Sequence, residues 1–166
     1  ILNKYDASDS LIERVTDLWN TSTNTREHSS KVNYAYNPFG KIVDYSSYQW
    51  SSTINDWRKN YRTITDYNNA NKVISEISQT GTLPGNSWLN TNRKTYFYNG
   101  NGQQLEYVLQ TWNETTATWT NIYFTTSLYN SNGLRTIDSI KKWNTTTNVW
   151  NKLQITTYTY DAQQKL

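Results

Sequence analysis

The sequence predicts an all-β repeat array, in which about five β-hairpins of about 31 residues each form a long twisted antiparallel sheet. Three observations lead to this prediction. A tyrosine followed by Asn or Asp recurs along the whole chain at one constant interval, and all eight tryptophans lie at two positions of that repeat. The segments between the turns are rich in Thr, Tyr, Ile and Val, which is typical of β-strands.

The recurring tyrosine marks each repeat and is called the anchor. The anchors are Tyr5, Tyr36, Tyr67, Tyr98, Tyr129 and Tyr160. A fixed period between about 20 and 50 residues is typical of proteins in which each repeat is one supersecondary unit packed on its neighbours. Residues 1–166 are therefore expected to form a single repeat array. Both ends fall partway through a repeat, so we expect the chain to be a fragment of a longer protein.

Each repeat contains two predicted turns. The anchor turn follows the anchor tyrosine, as in residues 99–102, where an Asx side chain can bond its own backbone and Gly or Asn accepts positive φ. The tryptophan turn, as in residues 113–118, joins the two tryptophan positions through small polar residues. About ten residues lie between successive turns, which is a usual strand length. Each repeat is thus predicted to be one β-hairpin.

The two tryptophan positions of a repeat lie on either side of the tryptophan turn, and we expect them to face each other across the hairpin, as Trp112 and Trp119 would. Arg26 and Gly81 replace tryptophan in the first and third repeats. Edge-to-face contact between the paired rings would clamp the hairpin beside its turn. An uninterrupted register then predicts further cross-strand pairs. These are Leu109–Ile122, Val108–Tyr123, Tyr107–Phe124, Ile140–Leu153 and Val43–Ile64.

A β-solenoid is the alternative topology. Each repeat would then form one rung, and identical Tyr and Trp side chains would stack about 4.8 Å apart in parallel ladders. The equal spacing of the turns and their hairpin-type residues favour the antiparallel array instead.

Composition excludes several classes of partner. Sixteen basic residues against 13 acidic ones give a formal net charge of +3, which is too weak a field for a nucleic-acid-binding surface. The absence of cysteine excludes disulfides and thiolate metal sites. No apolar run reaches the roughly 18 residues of a transmembrane helix. We therefore expect no nucleic acid partner, no membrane span and no cofactor.

Side chains suited to catalysis are scarce. His28 is the single histidine and is expected to be a solvated strand residue, so neither a repeated Ser-His-Asp arrangement nor a His metal cluster can form. Two other repeat positions carry charges, and both rows are interrupted. The carboxylates are Glu13, Asp44 and Glu106, and the cations, expected to be solvated charges that discourage aggregation, are Lys31, Arg62 and Arg93. We expect the chain not to be an enzyme and to hold no metal.

Short motifs around the anchors resemble the YxYDxxGxL core of RHS/YD repeats. They span residues 34–42, 96–99 and 158–166. The resemblance implies an extracellular β-sheet spiral, as in adhesion proteins or in shells around toxin payloads. The combined Tyr and Trp pattern is also similar to that of secreted Bacteroidetes surface proteins, which are type IX secretion cargo. Ser10 and Ser139, each preceded by Asp, match the short O-glycosylation signal of that phylum.

These observations favour a non-catalytic extracellular structural or adhesive segment, which acts as a spacer or as a component of a surface filament. The expected partners are other copies or neighbouring domains of the same chain. The alternative is a carbohydrate-binding module, in which exposed aromatic rings stack against sugars. Its candidate glycan-stacking residues are Trp19, Trp50, Trp57, Trp88, Trp112, Trp119, Trp143 and Trp150. A further alternative, from the resemblance, is an RHS-like shell around a toxin.

Overall fold

The computed structural model describes residues 1–165, which contain eleven β-strands and no helix. The strands are β1 (Leu2–Tyr5), β2 (Leu11–Asn20), β3 (Thr25–Tyr36), β4 (Ile42–Ser51), β5 (Asp56–Tyr67), β6 (Val73–Gly81), β7 (Trp88–Tyr98), β8 (Gln104–Asn113), β9 (Thr118–Tyr129), β10 (Arg135–Asn144) and β11 (Val149–Thr157). The order of strands in the sheet is their order in the chain. The predicted antiparallel array is confirmed, and the described residues do not form the parallel rungs of the alternative solenoid.

The strands form five hairpins, numbered 1 to 5 as β2–β3, β4–β5, β6–β7, β8–β9 and β10–β11. The chain divides into two compact units, and the division crosses hairpin 3. Unit 1 comprises Ile1–Asp66 and Glu76–Thr91, and so contains hairpins 1 and 2 and the turn end of hairpin 3. Unit 2 comprises Tyr67–Ser75 and the residues from Asn92 onward, which include hairpins 4 and 5.

The anchor turns have the predicted geometry. In the fourth of them, Asn99 Oδ1 accepts hydrogen bonds from the backbone N–H groups of Asn101 and Gln103, each at 3.0 Å. The other five anchor turns repeat these two bonds. The residue three after the Asx has positive φ in every case, which Gly102 adopts without strain. Leu166, the last residue of the motif at 158–166, lies outside the described residues.

The tryptophan turns are organised in a similar way. Asn113 Oδ1 accepts hydrogen bonds from the N–H groups of Thr115 and Thr116, at 3.0 and 3.2 Å. Asn20 and Asn144 do the same in hairpins 1 and 5. In hairpins 1, 4 and 5 an Asx side chain therefore organises the tryptophan turn as well as the anchor turn, because it replaces backbone hydrogen bonds that a tight turn leaves unmade.

The predicted register holds only at the turn end of each hairpin. Trp112 lies opposite Trp119, and the equivalent residues of hairpins 2 and 5 are also paired. Beyond that point the predicted pairs are wrong by one residue. The observed pairs are Leu109–Tyr123, Val108–Phe124, Tyr107–Thr125, Ile140–Gln154 and Asp44–Ile64. The difference arises because a β-bulge interrupts the second strand of the hairpin.

This bulge lies at the same repeat position in four hairpins. It leaves one residue of the second strand without an opposite partner, namely Ser29, Asn60, Ile122 or Leu153. A second bulge lies at the start of the next even-numbered strand, beside the anchor turn, and leaves out Ile12, Val43, Leu105 or Thr136. Because side chains alternate between the two faces of a strand, each bulge exchanges the faces of the residues that follow it.

The anchor tyrosine closes the open end of its own hairpin. In hairpin 4 the hydroxyl of Tyr129, at the end of β9, donates to the carbonyl oxygen of Gln104, at the start of β8, at 2.9 Å. Other anchors make the equivalent bond to the first strand of their hairpin. Among these bonds are Tyr36 to Leu11, Tyr98 to Val73 and Tyr160 to Arg135, each at 2.8 Å. A hairpin that has both a tryptophan pair and an anchor hydrogen bond is thus held at its turn by the tryptophans and at its open end by the tyrosine.

Hairpin 3 replaces the first tryptophan by a glycine for a steric reason. A Cβ atom on Gly81 would lie 1.8 Å from the carbonyl oxygen of Lys59, so no larger residue fits beside β5. The loop that follows also contacts β5, because Asn86 Oδ1 accepts from the N–H of Lys59 at 2.8 Å. Asn86 Nδ2 donates to the carbonyl oxygen of Trp57 at 3.1 Å. These bonds hold the loop of hairpin 3 on hairpin 2.

Replacing Tyr98 by Phe should lower the free energy of unfolding by about 1–2 kcal/mol, because the carbonyl of Val73 loses its side-chain donor. Urea denaturation of the full chain measures the change. Tyr123→Phe is the matched control, since no hydrogen bond of the Tyr123 hydroxyl is found within residues 1–165. Equal effects of the two substitutions would contradict the closing role of the anchor hydroxyl.

Candidate functional site

The candidate surface is the side of the sheet that carries the tryptophan pairs, here called the tryptophan face. The ring centroids of Trp50 and Trp57 are 5.1 Å apart in unit 1. In unit 2 the centroids of Trp112 and Trp119 are 5.0 Å apart, and those of Trp143 and Trp150 are 4.9 Å apart. All three pairs are T-shaped, which is the preferred contact between the edge of one ring and the face of another.

The paired tryptophans are half-buried, so part of each ring faces water. Trp19 is different, because Arg26 stands opposite it and its exposed fraction is 57%. Trp88 lacks a tryptophan partner and packs instead near Tyr48, with ring centroids 5.9 Å apart. The structure therefore brings six of the eight predicted glycan-stacking residues together as pairs and places Trp19 and Trp88 apart from any tryptophan partner.

Each tryptophan of the second position also contacts a side chain from the preceding hairpin. The Arg93 guanidinium lies 4.9 Å from the Trp119 centroid, and the Lys31 ammonium lies 5.1 Å from that of Trp57. In hairpin 5 the contact is aromatic, because Phe124 lies 5.7 Å from Trp150. In hairpin 3 the Lys59 ammonium lies 5.6 Å from the ring of Trp88. These cation–π and ring contacts join one hairpin to the next.

The prediction that this row of cations consists of solvated charges is thus wrong. Lys31 and Arg93 lie over aromatic rings, and Arg62 binds a carboxylate. The sequence carries a signal for the ring contacts, since Lys31, Arg93 and Phe124 all occupy the same position of the repeat before the tryptophan that they contact. That position predicts a contact only when the bulge is known, because an uninterrupted strand would direct these side chains to the opposite face.

Asp44 and Arg62 form an ion pair on the tryptophan face of hairpin 2. Arg62 Nε donates to both carboxylate oxygens, at 3.1 and 2.9 Å, and Ser46 Oγ donates to Asp44 Oδ1 at 2.8 Å. Burial tends to raise the pKa of Asp44, but the hydrogen bonds from Arg62 and Ser46 outweigh it, so the pKa is lowered. Arg62 Nη1 also donates to Gln79 Oε1 at 3.4 Å, which extends the network to hairpin 3.

The single histidine is bound rather than free in solvent. His28 Nδ1 lies 2.7 Å from Asp17 Oδ1, and the His28 ring packs against Trp50 at 4.9 Å between centroids. The hydrogen bond with His28 lowers the pKa of Asp17. Arg26 adds a longer ion pair to the same carboxylate, at 3.4 Å. The expectation of a solvated strand residue is therefore only half right, since the side chain of His28 is 47% exposed.

The opposite face of the sheet carries tyrosines and a carboxylate network. Asp138 accepts hydrogen bonds from Ser127 at 2.7 Å, from Tyr158 at 2.8 Å and from Arg135 at 3.2 Å. Burial tends to raise the pKa of Asp138, but these bonds lower it overall. Beside this network in unit 2 lies a shallow apolar depression. It is lined by Tyr107, Leu109, Tyr123, Thr125, Ile140 and Leu153.

The other candidate residues are dispersed. Within residues 1–165 no three His, Cys, Asp or Glu side chains lie close enough to hold a metal ion. Among the same residues no helix is long and apolar enough to cross a membrane. Ser10 lies in the first anchor turn, where its N–H donates to Asp6 Oδ1, and Ser139 lies within β10 opposite Thr126 and Ile155. O-glycosylation of these serines stays a prediction.

No protein-family model matches this chain, and no curated protein matches it. Among solved structures, a protein of unknown function from Bacteroides fragilis aligns with a TM-score of 0.61 at 13% identity, over 82% of this chain and 96% of that one. The TcdB2–TccC3–TEV structure aligns with a TM-score of 0.62 at 17% identity. That alignment covers 95% of this chain and 7% of the other. At these identities the likeness shows the fold.

A third similar structure is the Photorhabdus luminescens Tc holotoxin pore, with a TM-score of 0.55 at 15% identity. The alignment covers 90% of this chain and 7% of that one, so this chain corresponds in fold to a small part of the toxin chain. The likeness to a Bacteroides protein and to Tc toxin chains agrees with the expected resemblance at the level of fold. Membership of the RHS/YD repeats and type IX secretion stay predictions.

The ion pair of Asp44 predicts a pH dependence of stability. The folded-state pKa of Asp44 is below its unfolded value of about 3.9, so the pair stabilises the fold above that pH and the stabilisation is lost as the pH falls through the folded-state pKa. Between pH 5 and pH 2.5, the free energy of unfolding should fall by roughly 1 kcal/mol more in the wild type than in Asp44→Asn. Urea denaturation across this range measures it. Asp66→Asn, which removes an exposed carboxyl, is the control. If the free energy of unfolding of Asp44→Asn fell with pH as steeply as that of the wild type, the stabilising role of the Asp44–Arg62 pair would be contradicted.

Proposed function

We propose that this chain is a non-catalytic structural segment of an extracellular protein, which spaces or displays other domains or joins other copies in a surface assembly. One observation carries the proposal. The side chains that recur from repeat to repeat are engaged within their own hairpin or by the adjacent one. A repeat built in this way is suited to extending a sheet hairpin by hairpin.

The engaged groups are those that a recurring binding site would otherwise use. The Asx side chains complete their turns, and the anchor hydroxyls donate to backbone carbonyls. The rings of Trp112 and Trp119 pack on each other, and Arg93 covers part of Trp119. The single histidine is held by Asp17 and by Trp50. A structural use therefore accounts for each recurring residue type without a ligand.

The shell of a toxin is a specific form of the same structural role. The likeness in fold to a chain of the TcdB2–TccC3–TEV structure, over 95% of this chain, supports it. The extracellular location is supported by the resemblance of the anchor motifs to RHS/YD repeats and by the fold shared with a Bacteroides fragilis protein. Spacer, filament and shell all require a sheet that is stable without a ligand.

Trp112→Ala in the full chain should lower the free energy of unfolding by about 2–4 kcal/mol, because it removes half of a packed pair. Trp19→Ala is the matched control at the same repeat position, and we expect it to cost less than about 1 kcal/mol because Trp19 is exposed and has no tryptophan partner. Urea denaturation measures both. A loss at Trp112 as small as that at Trp19 would show that the pairs do not serve stability.

The unmodified full chain can also be assayed for catalytic activity. Chromogenic glycoside, ester and peptide substrates should show no turnover above the blank. Turnover that is abolished by both His28→Asn and Asp17→Asn would overturn the proposal, because these residues form the only Asp–His hydrogen bond within residues 1–165. Retained turnover in both variants would also overturn it, by locating the chemistry elsewhere on the chain.

A further inference from the structure

In each hairpin a cross-strand pair lies on the tryptophan face two residues further from the turn than the two tryptophan positions. In most hairpins the two side chains of this pair are chemically complementary or at least not of like charge. Gln79 Nε2 donates to Asn90 Oδ1 at 2.8 Å, and Gln110 Nε2 donates to Asn121 Oδ1 at 2.9 Å. Asp17 and His28 are hydrogen-bonded at 2.7 Å, and Tyr48 stands opposite Lys59 in hairpin 2.

Hairpin 5 departs from this rule, because Lys141 stands directly opposite Lys152. Like charges on directly opposite residues, whose Cβ atoms lie about 4.5–5.5 Å apart, destabilise a sheet. The Lys141 ammonium lies 5.7 Å from the Phe124 ring centroid. No carboxylate within residues 1–165 forms an ion pair with either lysine. The pair therefore carries two uncompensated positive charges.

The surroundings of the two lysines are aromatic and polar. Trp143 and Trp150 are the next residues along the same face, and both rings are half-buried. Ser139 and Ile155 follow on the other side of the lysine pair, so the face has no acidic residue on either side of it there. Unit 2 as a whole also carries an excess of positive charge, since it contains eight basic and four acidic residues. Two cations thus lie beside two half-buried tryptophan rings.

We propose that Lys141, Lys152, Trp143 and Trp150 form a binding site for an acidic glycan. A carboxylate or sulfate of the ligand would lie between the two ammonium groups and remove their repulsion. An adjoining sugar ring would pack on the exposed part of the tryptophan pair, whose faces are apolar and whose indole N–H groups can donate to hydroxyls.

A glycan fits this site better than a nucleic acid does. Single-stranded nucleic acids are bound by grooves in which many Lys and Arg residues follow a chain of phosphates. Here the cations are confined to one cross-strand pair, and the equivalent pairs of hairpins 3 and 4 are neutral. One or two acidic groups beside an apolar ring surface are the chemistry of a uronic acid or a sulfated sugar. The two lysines are independent of the structural role proposed for the recurring residues, because the lysine pair occurs in hairpin 5 alone, whereas Trp143 and Trp150 also pack on each other as the recurring pairs do.

Titration calorimetry of the full chain with a galacturonic acid hexamer tests the proposal, with the fully methyl-esterified hexamer as the neutral ligand. We expect the acidic hexamer to bind at least tenfold more tightly than the neutral one. Lys141→Gln/Lys152→Gln should lower the affinity for the acidic hexamer at least tenfold. The control Lys4→Gln/Lys41→Gln removes the same charge from exposed positions of unit 1 and should change the affinity less than twofold.

Thermal unfolding provides a second readout. Lys152→Gln should raise the Tm of the unliganded protein, because it removes the repulsion, and should abolish the rise in Tm that the acidic hexamer causes in the wild type. Equal binding of both hexamers, an equal loss in the control variant or no binding of either hexamer would overturn the proposal. Binding of oligo(dT) that is tighter than that of the hexamer and depends on the same lysines would overturn its assignment to a glycan.

Discussion

The fold depends on one constraint, which is that no apolar side chain is buried among residues 1–165. The buried residues of that range are small and polar, and Ser46, Ser51, Thr65 and Ser127 are the four of them. A conventional hydrophobic core therefore does not drive this structure, and the hydrophobic gain comes from many half-buried aromatic and aliphatic side chains. Strand pairing and contacts on the two surfaces of the sheet must supply the remaining stability. The recurring residues are the ones that make those contacts.

The two recurring β-bulges explain how contacts on one face can join successive hairpins. Without the bulge at Ile122, Phe124 and Trp119 would point to opposite faces of β9. With it, Phe124 reaches Trp150 in hairpin 5, as Arg93 reaches Trp119 in hairpin 4. A bulge also increases the local twist of the strands. The same irregularity therefore provides both the contact between hairpins and part of the twist of the sheet.

Much of the fold can be predicted from the sequence, because the turns and the tryptophan pairs are local. The Asx residue of an anchor turn binds its own backbone within a few residues, so Asn99 and the glycine at 102 identify the turn without any knowledge of the rest. The bulges cannot be predicted in this way. Polar and apolar residues are mixed on both faces, so a shift of register leaves no visible break in the alternation of polar and apolar residues along the strand. The partners of Lys31, Arg62 and Arg93 depend on that shifted register and cannot be predicted without it. The lysine pair of hairpin 5 lies on the turn side of the bulge, where the uninterrupted register holds.

The most direct test of the account is a double-mutant cycle between Arg93 and Trp119 in the full chain, with unfolding free energies from urea denaturation. If contacts of this kind hold successive hairpins together, Arg93→Ala and Trp119→Ala should show a coupling energy of about 0.5–1 kcal/mol. The control cycle joins Arg93 to Trp143, with which it has no contact among those described, and should be additive within about 0.3–0.5 kcal/mol. A coupling between Arg93 and Trp119 no larger than in the control would contradict the account.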